Sequence, residues 1–260
     1  MGVFQNHLMG AAAAAASSGA SGFYSHQIEQ SARFDRASES YLNRNFTSAG
    51  NLKVFTYSVW IKLSSISDSS YGQSIVTGST NNNTIAFYLG YWYIQRSNNL
   101  FGSSSGPIYR DYSSWMHIVV AFDIDNGTDA EKIRVYVNGT EVTTWGTDQR
   151  SSLSGDSTFN TGQNYIGKTT QNTASAFDGY MAEFVFIDGQ QLAPTSFGET
   201  KNGVWIPVDP SGLTFGSNGY HLKFENASDL GNDSSGNNND FTANNMGTDH
   251  QVSDSPTFGS

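Results

Sequence analysis

Hydrophobic and polar residues alternate with a period of two along most of this chain, which is the pattern of β-strands. Residues 115–123, WMHIVVAFD, are apolar at almost every position, as in a strand buried on both faces. Alternation resumes over 132–137, KIRVYV, and Asn138-Gly139 follows at once. This dipeptide accommodates the two positive φ angles of a type I′ turn, so the sequence predicts a tight hairpin that returns over 140–145.

The turn also fixes the register of the predicted hairpin. Counting outward from it places Val137 opposite Thr140 and Val135 opposite Val142. Glu141 then lies on the opposite face. The hairpin therefore has one largely apolar side and one polar side.

The same alternation predicts the other strands of the body, over residues 55–63, 74–77, 84–96, 164–168 and 177–188. Gly90 interrupts the third of these strands as a turn or bulge would. Strict alternation in the last one places Ala182 on the same face as Phe184. The segments 97–114 and 146–162, rich in Gly, Ser and Asn, are predicted loops.

Two of these segments resemble laminin G-like domains, which belong to the concanavalin A-like jelly-roll superfamily. The order Trp, His, Phe and Asp within 115–123, followed after a polar connector by Tyr-Val-Asn-Gly at 136–139 and by Val142, matches the centre of that pattern. Residues 55–63, FTYSVWIKL, match an earlier element of it. The resemblance implies an all-β, two-sheet antiparallel jelly-roll sandwich. This scaffold serves sugar binding, glycan cleavage, adhesion and plain architecture, so it does not name a function alone.

Three later elements narrow the resemblance: Ile-Asp-Gly-Gln at 187–190, Ser-Phe-Gly-Glu at 196–199 and Trp-Ile-Pro at 205–207. Together with the Asn- and Ser-rich tail, they are similar to the closing part of laminin G-like domains in virion proteins of tailed bacteriophages, marine ones especially. This resemblance implies a structural protein of the virion, either tail- or fibre-associated or head-decorating. Such a protein would contact other virion proteins and form a homo-oligomer in the assembly.

The tail carries a further resemblance. Residues 220–224 and 233–237 look like the segment that opens many laminin G-like domains, although they stand near the end of this chain. The order implies a circularly permuted arrangement. We therefore expect 220–245 to add strands beside Ala32–Leu42, the start of the sandwich.

Composition sets residues 1–30 apart from the rest of the chain. The run Ala11–Ala16 favours helix, but Ser and Gly soon end it. Such a segment is either a disordered tail or an arm that a partner surface orders, and we favour an extended or short-helical anchoring arm. Contacts with other virion proteins are expected through Phe4, Leu8, Ala11, Ala12, Phe23 and Tyr24. The sandwich is expected over 31–215, with 216–260 completing it.

Four aromatic residues are candidate sugar contacts: Trp92, Tyr109, Tyr112 and Trp145. Aromatic faces stack on the apolar face of sugar rings, and loop residues such as the two tyrosines are disproportionately used for binding. An aromatic residue within a strand, however, belongs more often to the core. These residues support an alternative function, a glycan-binding adhesin or receptor-binding protein that recognises a host surface polysaccharide.

Charge and composition exclude several classes of function. The net charge of −10 at pH 7 argues against a nucleic-acid partner, because phosphate contacts need clustered Lys and Arg. The chain has no cysteine, which removes thiolate zinc sites and cysteine nucleophiles. No run approaches the ~20 apolar residues of a membrane span. The paired carboxylates of retaining jelly-roll glucanases are also missing, and we expect a protein that is not an enzyme.

The acidic connector between the two central strands is the one candidate metal site. Asp123, Asp125, Asn126 and Asp129 offer oxygen atoms of the kind that calcium prefers. An acidic connector between strands is more commonly just solvated. The sequence thus predicts no cofactor and leaves calcium open, without a ligand set.

Overall fold

The computed structural model describes residues 22–65, 72–96, 99–102, 105–170 and 175–258. Within these ranges the strands are β1 (Ser31–Phe34), β2 (Tyr41–Phe46), β3 (Val54–Leu63), β4 (Gln73–Thr77), β5 (Asn83–Tyr88), β6 (Tyr91–Arg96), β7 (Asn99–Gly102), β8 (Met116–Asp123), β9 (Ile133–Val137), β10 (Thr140–Glu141), β11 (Thr147–Asp148), β12 (Gly162–Ile166), β13 (Gly179–Asp188), β14 (Gly198–Lys201), β15 (Val204–Pro207), β16 (Tyr220–Leu222), β17 (Thr242–Asn244) and β18 (Gln251–Val252). Short 3₁₀ turns connect some of them.

These strands form two large antiparallel sheets that pack face to face. Sheet A has the order β10-β9-β8-β3-β13-β1-β18, with β16 also paired to β13. Sheet B has the order β11-β7-β6-β5-β4-β12-β2-β17, and β14 and β15 form a separate hairpin. The expected all-β jelly-roll sandwich is confirmed. No helix in the described ranges is long and apolar enough to cross a bilayer.

The central hairpin has the predicted turn and register. Asn138 and Gly139 have φ angles of 48° and 76°, in the left-handed region that a type I′ turn requires. Thr140 pairs with Val137, and the Val142 N–H donates to the Val135 carbonyl at 2.8 Å. The turn residues therefore set the register of this part of sheet A.

Two short strands lie where loops were predicted. β7 falls within 97–114 and β11 falls within 146–162, and they pair with each other through Thr147 and Gly102. Neither strand has the longer run of alternating apolar and polar residues that marks the others. β7 forms because it pairs with the edge of β6, and β11 then pairs with β7. The β-propensity of their own residues does not explain these strands.

The prediction of strict alternation in β13 is wrong. The pairing of β13 with β3 shifts between Ala182 and Val185, which marks a β-bulge, and Glu183 there has a φ of 48°. An extra residue moves every later side chain to the other face. Met181 and Phe184 therefore share the main core between the sheets, whereas Ala182 lies on the outer side of sheet A.

The main core between the sheets is rich in aromatic side chains. The rings of Phe55 and Phe122 stack at 4.5 Å, and those of Tyr57 and Phe186 lie 4.6 Å apart. All four are buried. Burial of each such side chain contributes roughly 1.5–3 kcal/mol, so this aromatic layer stabilises the contact between sheets A and B.

The outer face of sheet A is also covered, by a layer built from residues 22–30 and 189–216. Val119, Ile187 and Phe197 meet in one buried cluster of this layer. Ile28 and Trp60 belong to a second cluster, which Trp115 and Trp205 border. Apolar residues at nearly every position of β8 therefore reflect burial on both faces, as the pattern indicates.

The tail returns to the start of the sandwich. Ala243 in β17 pairs with Leu42, as expected for 220–245, while β16 pairs with β13 instead. β18 extends the sheet from β1. Ile28 is buried and its N–H donates to the Thr257 hydroxyl, so the described end of the arm belongs to the folded body. The division of the chain at residues 30 and 215 stays a prediction.

Candidate functional site

A groove of about 410 Å³ opens at one end of the sandwich. One wall is formed by Pro107 and Tyr109, from the connection between β7 and β8. The other wall is formed by residues 137–144, which are the β9–β10 hairpin and the segment after it. This volume is within the range of roughly 300–1,000 Å³ that small-molecule sites occupy.

Tyr109 is held in place from two directions. Its N–H donates to the Gly90 carbonyl at 2.8 Å, which ties the connection to the β5–β6 turn. Its ring meets Phe87 edge to face at 6.2 Å and Trp92 at 6.5 Å. Burial raises the pKa of the Tyr109 hydroxyl, so the phenol is neutral at physiological pH. Tyr109 thus offers the groove a fixed, uncharged ring.

The opposite wall is fixed by contacts beneath the β9–β10 turn. The side-chain oxygen of Asn138 accepts a hydrogen bond from the His117 N–H at 2.8 Å. Gly139 lies directly on the Trp205 ring, since a Cβ there would be 2.4 Å from it. Both walls are therefore rigid, which lowers the entropy that a ligand must overcome on binding.

The lining of the groove is hydroxyl-rich and nearly free of net charge. Its carboxylate is Glu141, whose two oxygens accept hydrogen bonds from Arg134 at 3.1 and 2.7 Å. This pairing raises the pKa of the Arg134 guanidinium. Thr140, Thr143 and Thr144 supply hydroxyl groups on the same wall. The groove can thus hydrogen-bond a neutral polar ligand while the Tyr109 wall contacts its apolar face.

The four predicted sugar contacts have different fates. Tyr109 lines the groove; Tyr112 is exposed but does not line it. Trp145 packs against the main core, with the Arg150 guanidinium 5.3 Å from its ring. Trp92 is 0 % exposed, so its assignment to a glycan site is wrong. The signal was in the sequence, since alternation in β6 puts Trp92 in phase with the buried Ile94.

Sequence reasoning missed the hydroxyl wall of the groove. Asn138 was interpreted as a turn residue only, and the threonines at 140, 143 and 144 as strand. A cluster of hydrogen-bonding side chains directly after an exposed turn was the available signal. The wall that contains Tyr109, however, lies some 30 residues earlier in the chain. No local sequence pattern indicates that the two walls face each other.

The acidic connector does not bring its carboxylates together. Asp125 forms an ion pair with Lys53 and Asp129 forms one with Lys132, each at 2.8 Å. Asp123 accepts a hydrogen bond from the side chain of Asn126 at 3.3 Å. Across the described part of the chain, no group of three or more His, Asp or Glu side chains is placed to hold a metal ion.

Two further polar clusters lie in the outer layer. His117 is fully buried, and burial lowers its pKa to about 3. Its Nδ1 accepts from Trp205 Nε1 at 3.0 Å, so Nε2 carries the hydrogen and donates to the Ser58 hydroxyl at 2.8 Å. With both nitrogens engaged and the ring stacked on Trp60, His117 has a structural role. The second cluster joins Glu183 to His221 and to His26 of the arm.

The predicted anchoring residues fall in two groups. Phe4, Leu8, Ala11 and Ala12 lie outside the described residues. Phe23 and Tyr24 lie within them, with their rings edge to face at 5.1 Å. Lys201 Nζ is 5.6 Å from the Phe23 ring and donates to the Phe23 carbonyl. The described end of the arm thus contacts the β14–β15 hairpin of its own chain.

Comparisons with known proteins agree with this fold. Residues 36–195 match the family model Laminin_G_3, described as the concanavalin A-like lectin/glucanases superfamily. A comparison with curated protein sequences finds no match. Among solved structures, a protein from Bacteroides ovatus to which carbohydrate binding has been ascribed is similar at a TM-score of 0.57 and 14% identity, over 89% of this chain and 62% of that one. This chain therefore spans less than two thirds of that protein's length.

Two other solved structures show weaker likeness. A heptameric pentraxin from Limulus polyphemus has a TM-score of 0.45 and 15% identity, over 65% of this chain and 80% of its own. Domain 4 of an extracellular arabinanase from Geobacillus stearothermophilus, solved with arabinotriose, has a TM-score of 0.46 and 16% identity, over 65% and 75%. Identities this low leave the ligands of this chain undecided.

Proposed function

The chain belongs to the concanavalin A-like lectin/glucanases superfamily, and from this premise we propose that it is a non-enzymatic structural protein of a phage virion. In this proposal it is tail- or fibre-associated or head-decorating, is anchored by residues 1–30, and displays its lectin-like sandwich. One observation carries the proposal. The elements that resemble phage virion proteins and the described end of the arm share one layer over sheet A.

The contacts within that layer support a common role. Ile187 and Phe197, from two of the phage-like elements, share a buried cluster. Trp205, from the third, borders the cluster that contains Ile28 of the arm. The Ser25 hydroxyl also donates to Glu199 at 3.2 Å. An arm that leaves the sandwich from this layer directs the layer toward the particle, and leaves sheet B on the side that faces outward.

Deletion of residues 1–24 tests the anchoring role. The deletion keeps His26 and Ile28, which hold the end of the arm to the sandwich, so the body is expected to unfold at the same temperature as the full chain. Particles assembled with the deleted chain are expected to lack it after purification. A Tyr109→Ala chain is the control, because it should still be incorporated. Normal incorporation of the deleted chain would remove the anchoring proposal.

A second function, glycan binding, is favoured by the groove itself. A rigid aromatic wall faces a wall of hydroxyl and amide groups, which suits a ligand with one apolar face and many hydroxyls. The fold-level likeness to a Bacteroides ovatus protein with ascribed carbohydrate binding agrees with this. The full chain should bind one or more host surface polysaccharides on a glycan array, and Tyr109→Ala should lose that binding. Absence of any binding would leave architecture as the function.

A further inference from the structure

We propose that the groove selects neutral sugars that carry methyl groups, such as 6-deoxyhexoses or N-acetylhexosamines, and that it binds them without a metal ion. This inference rests on the proposed glycan-binding function and names its ligand class. Three features of the groove carry it: its charge, its pair of unlike walls, and an apolar surface that continues beyond one wall.

Charge excludes acidic sugars from the groove. Among the described residues, Glu141 is the carboxylate of the groove, and no Lys, Arg or His side chain lines it. The nearby Arg134 is already paired with two carboxylates, because Nε and Nη2 donate to Glu141 while Nη1 donates to Glu131 at 2.9 Å. A uronic acid or sulfate would meet Glu141 without a free cation, on a protein whose net charge is −10. Electrostatic repulsion therefore favours neutral ligands.

The two walls together suit a ligand that has one polar edge and one apolar edge. Thr140, Thr143 and Thr144 are exposed on one wall and offer donors and acceptors for sugar hydroxyls. Pro107 and the Tyr109 ring form the other wall and offer apolar surface. Because the described lining has a single carboxylate and Arg134 donates to it, the polar wall recognises hydroxyls directly and does not need a bridging calcium ion.

An apolar surface continues from the Pro107 and Tyr109 wall. Ile108 is 45 % exposed and lies against the β5–β6 turn, since a Cβ on Gly90 would be 2.9 Å from its Cγ2 atom. Tyr88 and Leu89 of that turn are exposed as well. Leu89 has a φ of 52°, a conformation that costs a non-glycine residue roughly 1 kcal/mol or more. Leu89 and Gly90 form the two-residue turn between β5 and β6, and this turn displays the leucine side chain to solvent as an apolar surface for a ligand group.

These features together define the ligand. A neutral sugar placed in the groove directs hydroxyls to the threonine wall, and its methyl or acetyl groups pass over Pro107 and Ile108 toward Leu89. Sugars that lack methyl groups fill the groove but leave this surface uncovered. Selectivity between the two is then a matter of buried apolar area, with one well-buried methyl group changing affinity by about four-fold to tenfold.

The test uses the full chain and a glycan panel of four kinds: 6-deoxyhexose, N-acetylhexosamine, unsubstituted neutral hexose, and uronic acid or sulfated glycans. Binding to the first two kinds is expected, unchanged by a chelator and by salt up to about 0.5 M, because a neutral ligand is not screened. Leu89→Asn keeps a residue that tolerates positive φ and removes the apolar side chain. It should weaken methyl-bearing ligands about tenfold and leave unsubstituted hexoses unchanged.

The outcomes separate this inference from the function on which it rests. Tyr112→Ala is the matched control, because that exposed tyrosine does not line the groove, and it should bind like wild type. Preferred binding of acidic glycans, or loss of binding with the chelator, overturns the ligand class while glycan binding stands. An equal effect of Leu89→Asn on all neutral ligands overturns the role of the apolar surface. Binding to no glycan removes both proposals.

Discussion

Glu183 and His26 are joined by a hydrogen bond of 2.6 Å between Oε2 and Nε2, although they stand 157 positions apart in the chain. The other oxygen of Glu183 accepts from Nε2 of His221, at 2.5 Å. Burial opposes ionisation of Glu183, but the hydrogen bonds from His221 and His26 outweigh it and lower its pKa to about 2. One buried carboxylate thus ties the arm and β16 to the bulge of β13.

The contribution of His26 to stability should be largest in mild acid. Burial lowers the pKa of its imidazole, but the hydrogen bond to Glu183 and the charge of that carboxylate raise it above the ordinary 6.5. The folded state then binds this proton more tightly than the unfolded state. The contribution is fully present below pH 6.5 and is lost as pH rises through the raised pKa. His26→Ala should therefore be less stable than wild type by about 1 kcal/mol near pH 6, after allowance for partial exposure.

Urea unfolding at a series of pH values measures this difference. It should shrink as pH rises above the raised pKa of His26, because the neutral imidazole keeps only an uncharged hydrogen bond. The same substitution in a Glu183→Gln background is the control, and the pH dependence should disappear there. A constant difference across the series would mean that His26 contributes by packing and not by charge.

Removal of Glu183 should be far more damaging than removal of an exposed carboxylate. Glu183→Ala leaves the fully buried His221 without its acceptor, and breaking a buried pair of this kind costs about 3–5 kcal/mol. Glu199→Ala removes a single surface hydrogen bond to Ser25 and should cost about 0.5 kcal/mol or less. Free energies of unfolding from denaturant titration decide between them. Similar values for the two variants would show that His221 finds another partner.

Two Asn-Gly turns offer a matched test of the contact between the hairpin wall of the groove and the Trp205 ring. Gly139 and Gly203 have φ angles of 76° and 80°, so alanine at either position meets the same backbone strain of about 1 kcal/mol. A Cβ at Gly139 also strikes the Trp205 ring, whereas a Cβ at Gly203 has nothing within 4 Å. Gly139→Ala should therefore lower the melting temperature by several degrees more than Gly203→Ala and change tryptophan fluorescence. Equal shifts would rule out a tight Trp205 contact.

Much of the sandwich was predictable because its strands obey local rules. Period-two alternation located β3, β8 and β9, and Asn138-Gly139 specified the turn and register. The bulge at Glu183 could not be predicted, since the positions before and after it are apolar on both faces of the strand, so a shift in alternation leaves no mark in the sequence. Two distant histidines hold that carboxylate in place, so the cause of the bulge lies outside the strand.

The candidate site was less predictable than the fold. Tyr109 could be singled out as a loop aromatic, but its partner wall of threonines belongs to a hairpin interpreted only as scaffold. The β5–β6 turn positions the Tyr109 wall, and the Trp205 ring positions the hairpin wall. The distance between the walls therefore depends on two contacts that are remote in sequence. Burial of Trp92, by contrast, could have been predicted from the alternation in β6. Its position in that pattern decides its environment, and its aromatic character does not.

The negative charge of the groove can be removed by a single substitution. Glu141→Gln removes the carboxylate and leaves Nε and Nη2 of Arg134 without an anionic partner at the edge of the groove. An acidic sugar could then pair with this guanidinium as a carboxylate does. Affinity for uronic acid glycans on the panel is expected to rise about tenfold, with a dependence on salt that neutral ligands lack. Glu131→Gln is the control, because it frees only Nη1 and Glu131 does not line the groove. If both variants gained acidic ligands equally, the effect would come from net charge, and Arg134 would have no special place beside the groove.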